Sequence, residues 1–198
     1  MRRRQDENAA VEAIQKLGGR VYRDEAADGK PIDHVNLGAT KAADTDLEPI
    51  KAFPRLKKLM LNSTPTTDAA LDVVASTPSV EKLYLVDTKV TDAGLEKLKA
   101  LPSLQVLSLV GTAVTDAGLE HLKAYPALKV VFLDGTQVTE EGVKKLQEAR
   151  PDLKIERAAP PAADPKPAEE VKKEEARKDD EKKDDQKKDD EKKDDEKA

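Results

Sequence analysis

The chain predicts an α/β fold: a solenoid of short strand–helix units, with a parallel sheet on its concave face, short helices outside and a disordered C-terminal tail. Three observations predict it. A pattern of 24 residues recurs, opened by Leu56, Val80, Leu104 and Leu128, and a short fixed period means stacked units rather than one closed core. Within each unit the apolar spacing changes from two to three, as from Leu107/Leu109 to Leu119/Leu122, the change from strand to helix. Beyond residue 158 the sequence turns to Pro/Ala and then to Lys, Asp and Glu, with nothing apolar to bury.

Residues 1–31 read as an N-terminal cap. A helix over 7–17 puts Val11, Ile14 and Leu17 on one face and stops at Gly18 and Gly19. Arg20–Arg23 follows as a short strand, and Asp28-Gly29 as a turn before Pro31.

Residues 32–155 hold about five repeats. In LQVLSLVGTAVTDAGLEHLKAYPA, Leu107 and Leu109 point inward from a strand, Ser108 points outward and Gly111 turns the chain. Thr115 caps a helix, Asp116 sits by its positive dipole end, and Val114 with Leu119 forms a hydrophobic staple. Pro126 ends the helix. The inward strand pairs are Val35/Leu37, Leu59/Leu61, Leu83/Leu85, Leu107/Leu109 and Val131/Leu133, and the helix pairs Leu47/Ile50, Leu71/Val74, Leu95/Leu98, Leu119/Leu122 and Val143/Leu146. Pro54, Pro78, Pro102 and Pro126 recur at one position, and Pro151 comes one residue late. The first unit is the most divergent, with Ala42 and Ala43 in place of Val-Thr. At the far end Leu153 and Ile155 supply a last strand, and Glu156 falls where an apolar residue is expected, so either the sheet ends or the register slips.

The pattern L-x-x-L-x-L-x-x-T-x-V-T-D-A-G-L-x-x-L resembles the leucine-rich repeat of the ribonuclease-inhibitor-like subclass, including bacterial GALA-type repeats and those of F-box adaptors. The resemblance covers about residues 32–155 and implies a horseshoe arc. Many such repeats carry Asn or Cys where this chain has Thr40, Thr64, Thr88, Thr112 and Thr136, and the column reads as a hydroxyl ladder satisfying loop backbone between neighbouring units. The family is a scaffold for many partners, so the resemblance fixes the fold more sharply than the function.

Residues 156–198 read as a disordered Pro/Ala linker and charged tail. They hold 13 Lys/Arg and 17 Asp/Glu of the chain's 35 and 40, which leaves residues 1–155 nearly neutral. A nearly neutral folded part argues against a nucleic-acid partner. The chain has no cysteine, hence no disulfide or thiolate metal site. Asp6, Glu7 and Asn8 stand where a signal peptide would need apolar residues, and no run has the length of a membrane span, so a cytoplasmic protein with no membrane contact is expected.

No catalytic constellation, cofactor motif or metal motif occurs, so an enzyme is not expected. His121 aligns with Lys97 at an exposed helix position. Asp68, Asp92 and Asp116 form a carboxylate row, read as exposed and helix-capping rather than metal-binding. Binding is expected on the concave face. Its columns supply His34, Lys58, Met60, Lys82, Tyr84, Val86, Val106, Val110, Val130, Phe132 and Asp134, with the apolar members gathered on the last three units. Five strands give a face of roughly 300 Å², below the roughly 800 Å² per partner of a standard interface, so loops or ends must contribute or binding is weak.

The function expected is a non-enzymatic module that binds a protein partner, as a monomer or with weak self-association through the C-terminal edge. Two alternatives stand beside it. One is an adaptor or effector of the F-box or GALA-like type, for which residues 1–31 are too short to form an F-box bundle. The other is a structural or solubilising protein whose tail carries the role.

Overall fold

The computed structural model describes residues 2–157; of the tail expected over residues 156–198, Glu156 instead ends a strand and residues 158–198 lie outside the described ones. Helix α1 (Arg2–Lys16) and strand β1 (Arg20–Arg23) precede β2 (Ile32–Asn36) and a 3-10 helix (Asp44–Ala52). Four strand–helix units follow: β3 (Lys58–Met60) with α2 (Ala70–Ala75), β4 (Lys82–Tyr84) with α3 (Asp92–Leu98), β5 (Val106–Ser108) with α4 (Asp116–Leu122), and β6 (Val130–Phe132) with α5 (Glu140–Ala149). Strand β7 (Lys154–Glu156) comes last.

The seven strands form one sheet in chain order. From β2 to β7 they are parallel, and His34, Lys58, Lys82, Val106, Val130 and Lys154 lie side by side at a constant offset of one repeat. The sheet is mixed rather than purely parallel, because β1 pairs antiparallel with β2. The link over residues 24–31 explains this: it turns at Gly29, with φ +77°, and is too short for the crossover a parallel pair requires. The helices pack as a second row, each against the next, from α1 through the 3-10 helix to α5. The predicted inward pairs of all the strands are buried in one cluster with Leu47, Ile50, Leu71, Leu95, Leu119 and Leu146 from the helices.

The first unit departs from the rest for a local reason. Pro49 lies inside its helix and lacks the N–H that an α-helical bond needs. Leu47 and Ile50, three apart and both fully buried, suit the three-residue turn of a 3-10 helix. The late Pro151 is absorbed without a register slip. Helix α5 runs for 10 residues against 7 in α4, and the extra residue is recovered before Ile155, which pairs with Val131 in register. Glu156 therefore stands beside Phe132 on the outer face of the sheet, and the exposed Arg157 that follows donates from Nη2 to Val138 O at 3.0 Å.

Two polar columns hold the units, and neither does what the sequence suggested. The threonine ladder works within a unit: Thr40, Thr64, Thr88, Thr112 and Thr136 each donate from Oγ1 to the carbonyl three residues back, at 2.6–2.8 Å. It ties off the turn after each strand, where Ala39, Ser63, Asp87, Gly111 and Gly135 all have φ between +53° and +69°. Only the last two are the glycine this conformation favours.

The aspartates are the links between units. Asp44, Asp68, Asp92 and Asp116 each accept from the backbone N–H and Oγ1 of a threonine 23 residues on, namely Thr67, Thr91, Thr115 and Thr139, at 2.6–2.8 Å. They are half-buried rather than an exposed row, and among the described residues no acidic or histidine cluster suits a metal ion. The threonine hydroxyl also receives: Thr115 Oγ1 accepts from Ala117 N–H at 3.2 Å and Thr139 Oγ1 from Gly142 N–H at 3.1 Å. One hydroxyl thus caps its own helix and fastens it to the preceding unit. The glycine of T-D-A-G belongs to the same clasp. A Cβ at Gly118 would stand 2.3 Å from Asp92 Oδ1, and one at Gly142 would stand 2.1 Å from Asp116 Oδ1.

Candidate protein-interaction face

Alternation along each strand sends Leu59, Leu83 and Leu107 into the core and their successors to the face turned away from the helices. The core cluster takes in the leucines and leaves out Met60 and Tyr84. Two columns run across this outer face. One reads Tyr22, His34, Lys58, Lys82, Val106, Val130 and Lys154; the other reads Arg20, Asn36, Met60, Tyr84, Ser108, Phe132 and Glu156.

The structure brings the predicted residues together but exposes them unequally. Lys82 and Asp134 are exposed, and His34, Lys58, Val86, Val106, Val110, Val130 and Phe132 are half-buried. Met60 and Tyr84, expected as open contacts, are buried at 3% and 9% exposure. Strands about 4.8 Å apart leave each middle-column side chain walled by its neighbours on both sides. The most confined is Ser108, fully buried between Tyr84 and Phe132, its Oγ without a hydrogen-bond partner among the described residues.

The N-terminal side of the face is polar and braced. His34 stacks on Tyr22 with ring centroids 4.6 Å apart and planes 19° from parallel. The sequence offered no sign of this pair, because it depends on the antiparallel register of β1. The Lys58 ammonium lies 5.8 Å from the Tyr84 ring centroid, within cation–π range, and helps cover that ring. Asn36 and Asn62 are spent on the turns: Asn36 Oδ1 accepts from Gly38 N–H at 2.8 Å, and Asn62 Oδ1 from Val86 N–H at 3.1 Å.

The C-terminal side is apolar. Val106, Val110, Val130 and Phe132 form a half-exposed patch over Ser108, with Val86 alongside and Lys82, Asp134 and Glu156 at its rim. It presents hydrophobic area with charges of both signs around it and no nucleophile–base pair. Among the described residues no helix is long and apolar enough to cross a membrane.

No family model matches the chain, and no curated protein does. Solved structures do. An internalin (inlF) from Listeria monocytogenes is similar over 58% of this chain and 32% of its own, at 17% identity and a TM-score of 0.45. PEPR1-AtPEP1 is similar over 67% of this chain and 19% of its own, at 16% identity and a TM-score of 0.42. Both are leucine-rich-repeat proteins, and this chain spans about a third and a fifth of their respective lengths.

Proposed function

We propose that the protein is a non-enzymatic interaction module of the leucine-rich-repeat type that docks a protein partner on the outer face of its last three repeat strands. One observation carries the reading: Val106, Val110, Val130 and Phe132 remain half-exposed together on a rigid sheet, rimmed by Lys82 and Asp134. An apolar centre with a charged rim is the usual anatomy of an interface. The patch is small, so a partner also engages the loops after the strands or binds weakly. The ribonuclease-inhibitor-like subtype, with the sheet on the inner side of an arc, is supported by true α-helices in units two to five and by the T-D-A-G-L grammar. A chain without cysteine and with a nearly neutral repeat region suits a cytoplasmic protein that takes neither membrane nor nucleic acid.

The test is affinity capture with the full chain, Val130→Asp, Phe132→Ala and a control, Lys99→Ala, at the exposed residue that follows helix α3. The two outer-face variants should lose the captured partner at least tenfold while the control keeps it. Capture by both at the wild-type level would sink this reading. Deleting residues 160–198 separates it from a tail-based role, because the proposed module retains its partner without them.

A further inference from the structure

We infer that β7 is a self-complementary sheet edge through which two copies of this chain pair antiparallel about a two-fold axis at Ile155. This edge adjoins the outer face, whose columns end in Lys154 and Glu156, but the pairing is made through the backbone of β7 and read by oligomeric state, so the inference stands or falls independently of the function proposed above.

The backbone states the vacancy. In five successive units the residue after the strand's outer position donates its N–H to the next strand: Leu37 to Met60, Leu61 to Tyr84, Leu85 to Ser108, Leu109 to Phe132 and Leu133 to Glu156, at 2.8–2.9 Å. Arg157 is the next in this column, and its N–H has no acceptor among the described residues. Within β7, Lys154 N–H donates to Lys129 O and Glu156 O accepts from Leu133 N–H. Strand alternation then points the N–H and C=O of Ile155 away from β6, toward a side where the described residues supply no further strand.

The side chains say what fits. In an antiparallel pairing centred on Ile155, that residue exchanges both backbone bonds with Ile155 of the second copy. Lys154 then stands opposite Glu156 of the second copy, and Glu156 opposite its Lys154. Directly opposed unlike charges stabilise such a pair, and like charges destabilise it. Lys154 is available, its side chain 71% exposed, and it already reaches Glu156 on its own strand at 2.5 Å. Ile155, half-buried against the core, meets its own copy and completes the burial.

The opposite edge of the sheet lacks these properties. Strand β1 carries Arg20 and Arg23 at its two ends, and its register breaks between Tyr22 and Arg23. Two copies of β1 set antiparallel would oppose arginines, and irregular, like-charged edges resist pairing. The pairing therefore closes as a dimer through β7 rather than running head to tail.

Sedimentation velocity of the full chain over a concentration series tests this. A dimer should be populated at roughly 100 µM, as befits a small interface. K154E, which makes the strand Glu-Ile-Glu, and E156K, which makes it Lys-Ile-Lys, should each weaken the dimer by about tenfold or more. An equimolar mixture of the two should re-form a dimer, and the double swap K154E/E156K should pair with itself. Circular dichroism checks that each variant is folded. A wild-type chain that stays monomeric to about 1 mM, single variants that dimerise as tightly as wild type, or a mixture that fails to recover the dimer would each overturn the pairing.

Discussion

Gly118 shows how one hydrogen atom in place of a methyl group organises this protein. Its missing Cβ is the space in which Asp92 reaches Thr115, and a methyl there would also stand 2.8 Å from Val114 Cγ1 and 3.1 Å from Leu95 Cδ1. Two of those three neighbours are packed core residues that cannot swing aside. Gly118→Ala is therefore expected to cost about 1–3 kcal/mol, the range for overpacking, in spite of alanine's better helix propensity. Urea unfolding measures it, and a neutral or stabilising result would show that the aspartate yields freely. The chain contains its own comparison. The equivalent position in the second repeat unit is Ala70, and there helix α2 begins two residues later in the motif than α3 or α4 and runs only 6 residues. None of this was visible in the sequence. Thr115 and Asp116 satisfy the rules for a local helix cap, and nothing within one unit distinguishes a carboxylate that caps its own helix from one that reaches 23 residues forward.

At the scale of elements, each helix from the 3-10 helix onward is fastened to the next by the clasp, and the link from α4 to α5 is sensitive to acid. Asp116, at the head of α4, has its carboxyl held below the usual range, chiefly by the Thr139 hydroxyl and next by the Thr139 N–H. Its pKa is lower folded than unfolded. The stability it contributes is present above the ordinary aspartate value of about 4 and is lost as pH falls through the folded value. Asp116→Asn should therefore show a shallower loss of Tm between about pH 4 and pH 2 than the wild-type chain. Equal acid slopes in the two proteins would mean the link carries no proton-dependent stability. Elements were the most legible level of the sequence. The recurring leucines placed strands β3 to β6 and helices α2 to α5 correctly, because each apolar position answers to one unit's own period. Strand β1 was placed at Arg20–Arg23 but its antiparallel pairing was not, since that depends on the length of the link that follows it; the helix carrying Leu47 and Ile50 was placed but not its 3-10 form, since Pro49 overrides an otherwise helical pattern. The candidate face was half legible. Which residues share it follows from alternation, but the burial of Met60, Tyr84 and Ser108 follows from neighbours three strands wide.

For the molecule as a whole, stability runs along one dimension. Among the described residues the main helix–helix contacts run between neighbours in the row and the main strand–strand contacts between neighbours in the sheet, and a single core threads from Ala10 in α1 to Leu153 before β7. In such an array each unit's stability is shared through its two interfaces. Leu107, fully buried at the centre, belongs to both halves. Leu107→Ala should cost about 2–5 kcal/mol and should separate the opening free energies of the units before and after β5 in native-state hydrogen exchange. If the two halves still open together, the coupling is global rather than nearest-neighbour.

The Asp–Thr–Gly link also has a direction. The first unit offers Asp44 but has Ala43 where later units receive, and the last receives at Thr139 but has Glu140 where earlier units offer. Every interior module is plug on one side and socket on the other, and the sockets at Thr91, Thr115 and Thr139 are alike, each with its glycine three residues on. A duplicated segment such as Leu104–Ala127 would mate with either neighbour without any change elsewhere. Length is thus a free parameter of this architecture, set by how many modules are strung between a first unit that lacks the socket and a last unit that lacks the plug.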